Sequence, residues 1–154
     1  MGHDTSKTAA AFAPRPPLNP AEWESYFDLR WRVLRAPWDQ PPGSEKDDRE
    51  DDSHHLMIVG PESRPLAVGR LHFNSASEAQ VRFMAVDPAA QGRGFGGVIL
   101  QEFERRAKAA GATSIVLNAR DDAQRFYAKH GFEVVGPAET IFSAVHHVRM
   151  RKEI

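Results

Sequence analysis

Trp23, Phe27, Trp31 and Leu34 recur at three- to four-residue spacing, the repeat of one helix face. Asn19-Pro20-Ala21-Glu22 stands just ahead of them. Asn can cap, Pro suits the first helical position, and Glu three residues after the cap completes a capping-box pattern. This helix is expected to stop near Ala36-Pro37, because Pro restricts the residue before it. From His54 the pattern becomes short and β-like. Strands are predicted over His55–Val59, Leu66–Phe73 and Ala79–Val86, the first two divided by the turn Gly60–Pro65. Together they predict an antiparallel meander. A helix over Gly94–Ala110 follows, with Val98, Leu100, Phe103 and Ala107 facing the core and Gly111 at its C-cap. Beyond it lie a strand at Thr113–Leu117, a short helix at Asp121–His130 ending at Gly131, a strand at Phe132–Val135 and a last strand around His147–Met150. Alternating strands and helices after a meander imply an α/β (α+β) layer on a mixed sheet. The pattern predicts one domain over residues 19–154 behind an Ala- and Pro-rich arm, residues 1–18, expected to be unpacked.

Composition narrows the function classes. Twenty basic side chains against twenty-one acidic give a net charge of -1, so there is no electrostatic footprint for nucleic acid. Cysteine is absent, which excludes disulfides and thiolate metal sites. The uninterrupted apolar runs, such as Leu56–Val59, are far short of the roughly 20 residues that span a bilayer. No membrane partner is expected, and a cytoplasmic location is the default. Gln40–Asp52 reads as a loop with six acids among its last eight residues, broken by Lys46 and Arg49. Its ordinary meaning is a solvated charge run, with a slight lean toward a cationic ligand. His54-His55 and His146-His147 do not suggest a metal, since neighbours on a strand point to opposite faces.

The chemistry concentrates in Val86-Asp87-Pro88-Ala89-Ala90-Gln91-Gly92-Arg93-Gly94-Phe95-Gly96-Gly97. Glycines crowd a turn between a predicted strand and helix. Such a turn exposes backbone N–H groups at the positive end of a helix dipole and lets a phosphate approach closely. Gly92-x-Gly94-x-x-Gly97 matches the dinucleotide fingerprint in letters. Yet five residues separate Val86 from Gly92, a meander comes first, and Asn118 and Arg120 stand where the ribose-binding acid belongs. An NAD(P)-binding oxidoreductase is therefore the weakest of three readings.

The same residues also read Gln91-x-x-Gly94-x-Gly96, and here the chain resembles the GNAT superfamily of acyl-CoA N-acyltransferases. Arg82–Pro88 looks like that family's fourth strand, and Asn118–Phe132, with Ala123, Phe126-Tyr127 and Gly131-Phe132, like the helix after its fifth. Val33-Leu34-Arg35, Pro41-Pro42-Gly43-Ser44-Glu45 and His147-Val148-Arg149-Met150 are similar to the family's bacterial ElaA-like branch. The resemblance implies a mixed, mostly antiparallel central sheet flanked by helices and splayed between the family's strands four and five. It implies transfer of acetyl from acetyl-CoA to an amine by direct attack in a ternary complex. The alternative is a catalytically silent acyl-CoA-binding module.

Site roles follow by resemblance. The N–H groups of Gly92, Arg93, Gly94, Phe95, Gly96 and Gly97 would hold the CoA pyrophosphate, with Gln91 and Arg93 shaping the turn. The backbone of Met84, Ala85 and Val86 would pair with the pantetheine arm, and the amide after Met84 could polarise the thioester carbonyl. Asn118, Ala123 and Phe126 would line its channel, and Tyr127 would protonate the departing thiolate. Many members carry a glutamate base where this chain has Gln80, and an amide has no useful basicity. Glu78, His72 and His147 are the replacements, with His147 the catalytic candidate since His titrates where the work is needed; alternatively no base is needed, the amine arriving neutral and water taking its proton. No metal is implied. The acceptor is a small-molecule or peptide amine, and a homodimer is left open.

Overall fold

The computed structural model describes residues 12–154. They form two compact units, 12–72 with 83–103 and 73–82 with 104–154. Among the described residues three helices, α1 (Pro20–Leu34), α2 (Phe95–Ala109) and α3 (Gln124–Lys129), accompany six strands. These are β1 (His54–Val59), β2 (Pro65–Phe73), β3 (Glu78–Val86), β4 (Ser114–Arg120), β5 (Glu133–Pro137) and β6 (His147–Glu153). The strands pair in the order β1-β2-β3-β4-β6-β5. The β1–β2, β4–β6 and β5–β6 pairs are antiparallel, and β3–β4 is parallel. This is the mixed, mostly antiparallel sheet expected from the sequence. The β3–β4 register ends at Gln80↔Val116, although β3 continues to Val86 and β4 to Arg120. The sheet is splayed there.

In the first unit, α1 begins as its sequence dictates. Asn19 Oδ1 accepts the N–H of Glu22 at 2.9 Å, and Glu22 accepts the N–H of Leu18 at 2.8 Å. Glu22 also receives the Arg15 guanidinium at 2.7 Å. Arg15 exchanges two backbone hydrogen bonds with Met57, at 3.0 and 2.7 Å, and Phe12 meets Phe95 edge-on. Of the arm expected over residues 1–18, the first eleven lie outside the described residues; the remainder is seated on β1.

The buried face of α1 is not the stripe that the apolar letters mark. Tyr26, Leu29 and Arg30 are buried, whereas Trp23, Phe27 and Leu34 are only partly so. Polar side chains hold the centre because their partners are inside. Tyr26 Oη lies 3.0 Å from the Gly69 carbonyl and 2.8 Å from His55 Nδ1, and it accepts Arg30 Nη2 at 2.9 Å. Burial pushes the Tyr26 phenol up to about 12, with the Arg30 and Arg70 charges pulling the other way. Gly69 is required here, since a Cβ would sit 2.6 Å from Met84 Sδ and 3.0 Å from Ile99 and Phe103. The core-facing row on α2 is Phe95, Ile99, Phe103 and Ala107; Val98, expected there, is half-buried.

The acidic loop is a solvated charge run only in part: Asp48, Asp51 and Asp52 are exposed, whereas Glu45 is buried and Asp47 and Glu50 turn toward buried arginines. Arg30 and Arg70 are both fully buried. Arg30 donates to Glu50 at 2.9 Å and to the Glu45 carbonyl at 3.0 Å. Arg70 donates to Asp47 Oδ2 and Glu50 Oε2, each at 2.9 Å. Two guanidiniums thus face two carboxylates, so the loop is folded inward by ion pairs that balance in charge.

In the second unit, β4 buries Ile115, Val116, Leu117 and Ala119, and β6 buries Met150. The short helix expected over Asp121–His130 is a 3₁₀ turn, Asp121–Ala123, followed by α3. Gly131 follows α3 at φ +93, the left-handed conformation a helix C-terminus favours.

Two outcomes follow. The Arg15 guanidinium and the Leu18 amide hold the Glu22 carboxyl down at about 2, against an ordinary 4.5. A lowered folded-state value stabilises above the unfolded one and is lost on acidification. Glu22→Gln should therefore lower Tm at neutral pH, the deficit shrinking as pH falls from 4.5 to 2. Arg70→Ala leaves Asp47 and Glu50 facing the single guanidinium of Arg30 and should cost about 3–5 kcal/mol in urea unfolding; a loss below about 1 kcal/mol is what an exposed pair would give.

Candidate active site

The glycine-rich turn lies in the first unit. Asp87 accepts the N–H of Ala89 at 2.9 Å and opens a 3₁₀ turn, Pro88–Ala90. Gln91, Gly92, Arg93 and Gly94 are exposed, and Phe95, Gly96 and Gly97 are buried at the start of α2. Gly92 and Gly94 take φ of +78 and +85, which L side chains adopt at a cost. A Cβ on Gly92 would meet nothing within 4 Å, so backbone conformation rather than space calls for glycine there. The first intrahelical bond runs from Val98 N–H to the Gly94 carbonyl. The N–H groups of Phe95, Gly96 and Gly97 precede it and have no partner within the helix. They sit at the positive end of the helix dipole, where an anion is favoured. The Arg93 guanidinium lies 4.9 Å from the Phe95 ring centroid, which holds its charge beside the turn.

Met84, Ala85 and Val86 follow a break in strand geometry. Phe83 has φ +56 within β3, a conformation that costs a non-glycine residue about 1–3 kcal/mol unless its surroundings impose it. Here they do. Arg30, Arg70 and Arg35 stack on the Phe83 ring at 4.3, 4.9 and 5.5 Å. The buried charge cluster therefore fixes the kink from which Met84–Val86 leave.

The remaining expected residues lie in the second unit. Tyr127 is the buried residue of α3, with its ring against Phe126 and Phe132. Burial raises its pKa well above the ordinary phenol value, opposed by the Arg120 charge, so it remains a proton donor throughout the neutral range. Ala123 ends the 3₁₀ turn before α3, and Phe126 packs on His130 and Tyr127. Asn118 is exposed on β4 and accepts Arg149 Nη1 at 3.4 Å. His147 lies opposite Arg120, and Asn118 opposite Arg149, across the antiparallel β4–β6 pair. His147 Nδ1 lies 3.0 Å from the Val145 carbonyl. A carbonyl only accepts, so Nδ1 carries a proton and donates it to Val145.

The other base candidates are engaged elsewhere. Asn74 Nδ2 donates to both Glu78 at 2.9 Å and Gln80 at 3.0 Å. His72 is buried in the first unit beside Arg70, at 3.3 Å. Sequence reasoning missed Arg120 and Arg149 as members of this face. The alternation of His147, Arg149 and Arg151 around buried Met150 was the signal. Among the described residues no group of three or more His, Asp or Glu could hold a metal, and no helix is long and apolar enough to cross a membrane.

Comparison with known proteins agrees with this geometry. An uncharacterized N-acetyltransferase of Bacillus subtilis, YjcF, is 27% identical over 135 residues, covering 88% of this chain and 95% of that one. The solved structure of Escherichia coli ElaA superposes with a TM-score of 0.70 at 18% identity, covering 88% and 93%. That of an aminoglycoside 6'-N-acetyltransferase complexed with coenzyme A gives 0.72 at 13% identity, covering 88% and 92%. Both structures share the fold. The dinucleotide reading of the turn falls, because the sheet opens with an antiparallel pair and its parallel register covers only β3 and β4. Residues 23–132 match the acetyltransferase (GNAT) family, and the chain belongs to that family.

Proposed function

We propose that the chain is an acyl-CoA-dependent N-acetyltransferase that moves acetyl from acetyl-CoA to an amine by direct attack. The observation that carries this reading is the turn at Gln91–Gly97, where left-handed glycines lead into three helix N–H groups without intrahelical partners. It has the polarity and openness that a pyrophosphate needs. The coenzyme A in the aminoglycoside 6'-N-acetyltransferase structure of the same fold supports the cofactor assignment.

Under this reading the N–H groups of Gly92–Gly97 bind the pyrophosphate, with Arg93 adding charge. The backbone of Met84, Ala85 and Val86 orients the pantetheine arm, while Asn118, Ala123 and Phe126 line its path. The amine nitrogen forms a bond to the thioester carbonyl carbon as the C–S bond breaks. Tyr127 gives its proton to the leaving thiolate, and its raised pKa draws a proton back from solvent. His147 takes the amine's proton at Nε2, a role that the amide of Gln80 cannot perform. No covalent enzyme intermediate is required.

The first test is calorimetric titration of acetyl-CoA, with NADH as control, followed by thiol-release assays on an amine panel. Acetyl-CoA binding at micromolar Kd with amine-dependent thiol release is expected. Binding without release across the panel would favour a silent acyl-CoA module, and no binding would remove the reading. Tyr127→Phe should lower kcat about 100-fold or more while leaving the acetyl-CoA Kd within about twofold; unchanged turnover with chemistry rate-limiting excludes the role. His147→Gln should lower kcat/KM about 100-fold or more while leaving the acetyl-CoA Kd within about twofold; unchanged turnover with chemistry rate-limiting excludes His147 as the base.

A further inference from the structure

We infer that the amine acceptor carries an anionic group, a carboxylate or a phosphate, received by Arg149 and Arg120 on the open face of the β4–β6 pair. This rests on the transferase reading and assigns that site its substrate class.

The register sets the geometry. Residues directly opposite in an antiparallel pair project from the same face. Arg120↔His147, Asn118↔Arg149 and Val116↔Arg151 therefore bring His147, Asn118, Arg120 and Arg149 onto one face, while Met150 turns into the core. Two strand positions separate His147 from Arg149, about 6–7 Å along the chain. That span suits a small molecule whose amine and anion lie a few bonds apart.

The guanidiniums on this face hold few strong partners. Charge-assisted hydrogen bonds run to about 2.7–2.9 Å, the lengths that Arg15, Arg30 and Arg70 achieve with their carboxylates. Arg149 reaches Asn118 Oδ1 only at 3.4 Å and Glu78 Oε2 at 4.0 Å. The carboxylate of Glu78 already accepts Asn74 at 2.9 Å. Arg120 Nε lies 3.5 Å from Asp122, whose side chain is 77% exposed. A guanidinium offers five N–H donors in a fork that matches a carboxylate or phosphate. Arg151, further along the same face, has Glu153 at 3.2 Å and Glu133 opposite it in the register, so the positive character gathers toward the His147 end.

The opposing case for a cationic acceptor came from the acids of residues 45–52. Asp47 and Glu50 are paired with Arg70 and Arg30, and Glu45 is buried, accepting the N–H of Gly43 at 2.7 Å. These three of the six acids are already engaged, and Asp52 has Arg49 at 3.3 Å; Asp48, Asp51 and Asp52 stay exposed.

The test compares four amines of similar reach on the full chain with acetyl-CoA: ethanolamine, putrescine, β-alanine and phosphoethanolamine. At least one anionic amine should exceed ethanolamine and putrescine tenfold or more in kcat/KM, and whether β-alanine or phosphoethanolamine leads distinguishes carboxylate from phosphate. Arg149→Gln should collapse that ratio toward one through KM, and Arg149→Lys should restore part of it. A preference for putrescine or ethanolamine, or an unchanged ratio in Arg149→Gln, overturns the inference. Calorimetric titration of the two anionic amines into the protein without acetyl-CoA separates the two proposals. Anion binding that weakens at least tenfold in Arg149→Gln supports this site even where acetyl transfer fails, and no binding in either the titration or the rate assay overturns it.

Discussion

Two buried guanidiniums facing two carboxylates organise the first unit. Arg30 comes from α1, Arg70 from β2, and Asp47 and Glu50 from the loop between α1 and β1. Charges removed from water are tolerated only when each finds an opposite charge and further hydrogen bonds. Once they are enclosed, the rest is constrained in turn. The loop must fold inward, and Tyr26 must supply an oxygen to Arg30 while it also reaches the Gly69 carbonyl. The flat faces of the guanidiniums are left for an aromatic ring, which Phe83 provides.

That ring links the cluster to the bend in β3. A residue at φ +56 in mid-strand interrupts regular β geometry, and the three residues after it are the ones whose backbone the family resemblance gives to the pantetheine arm. The distortion is supported by neighbours distant in sequence, as a strained functional backbone requires. Here a buried ionic network serves geometry, holding one aromatic side chain at the bend from which Met84–Val86 leave.

The sequence made much of this legible, for local reasons. Asn19 and Pro20 mark the start of α1, the turn at Gly60–Pro65 divides β1 from β2, and the Gly92–Gly97 turn announces its own backbone conformation. These are short-range signals written in residues with unusual φ preferences or caps. The failures were long-range. Nothing within α1 says that Tyr26 and Arg30, rather than Trp23 and Trp31, face inward, because the reason lies at His55, Glu50 and Gly69. An acidic run looks solvated until its partners, one upstream and one downstream, are found. Arg149 and Arg120 were also visible as letters, but their common face depends on a register that only pairing reveals.

The charge-balanced quartet has a consequence for how this sequence can drift. A change at Arg30, Arg70, Asp47 or Glu50 alone leaves an unmatched ion in the interior, so single steps pass through a poorly folded intermediate. Exchange of an ion pair for apolar side chains of similar volume can be neutral or even stabilising, which makes the two-step outcome accessible while its midpoints are not. These positions should therefore be inherited as a block: lineages keep the whole set or replace it together, and the loop between α1 and β1 keeps its length as long as the set persists.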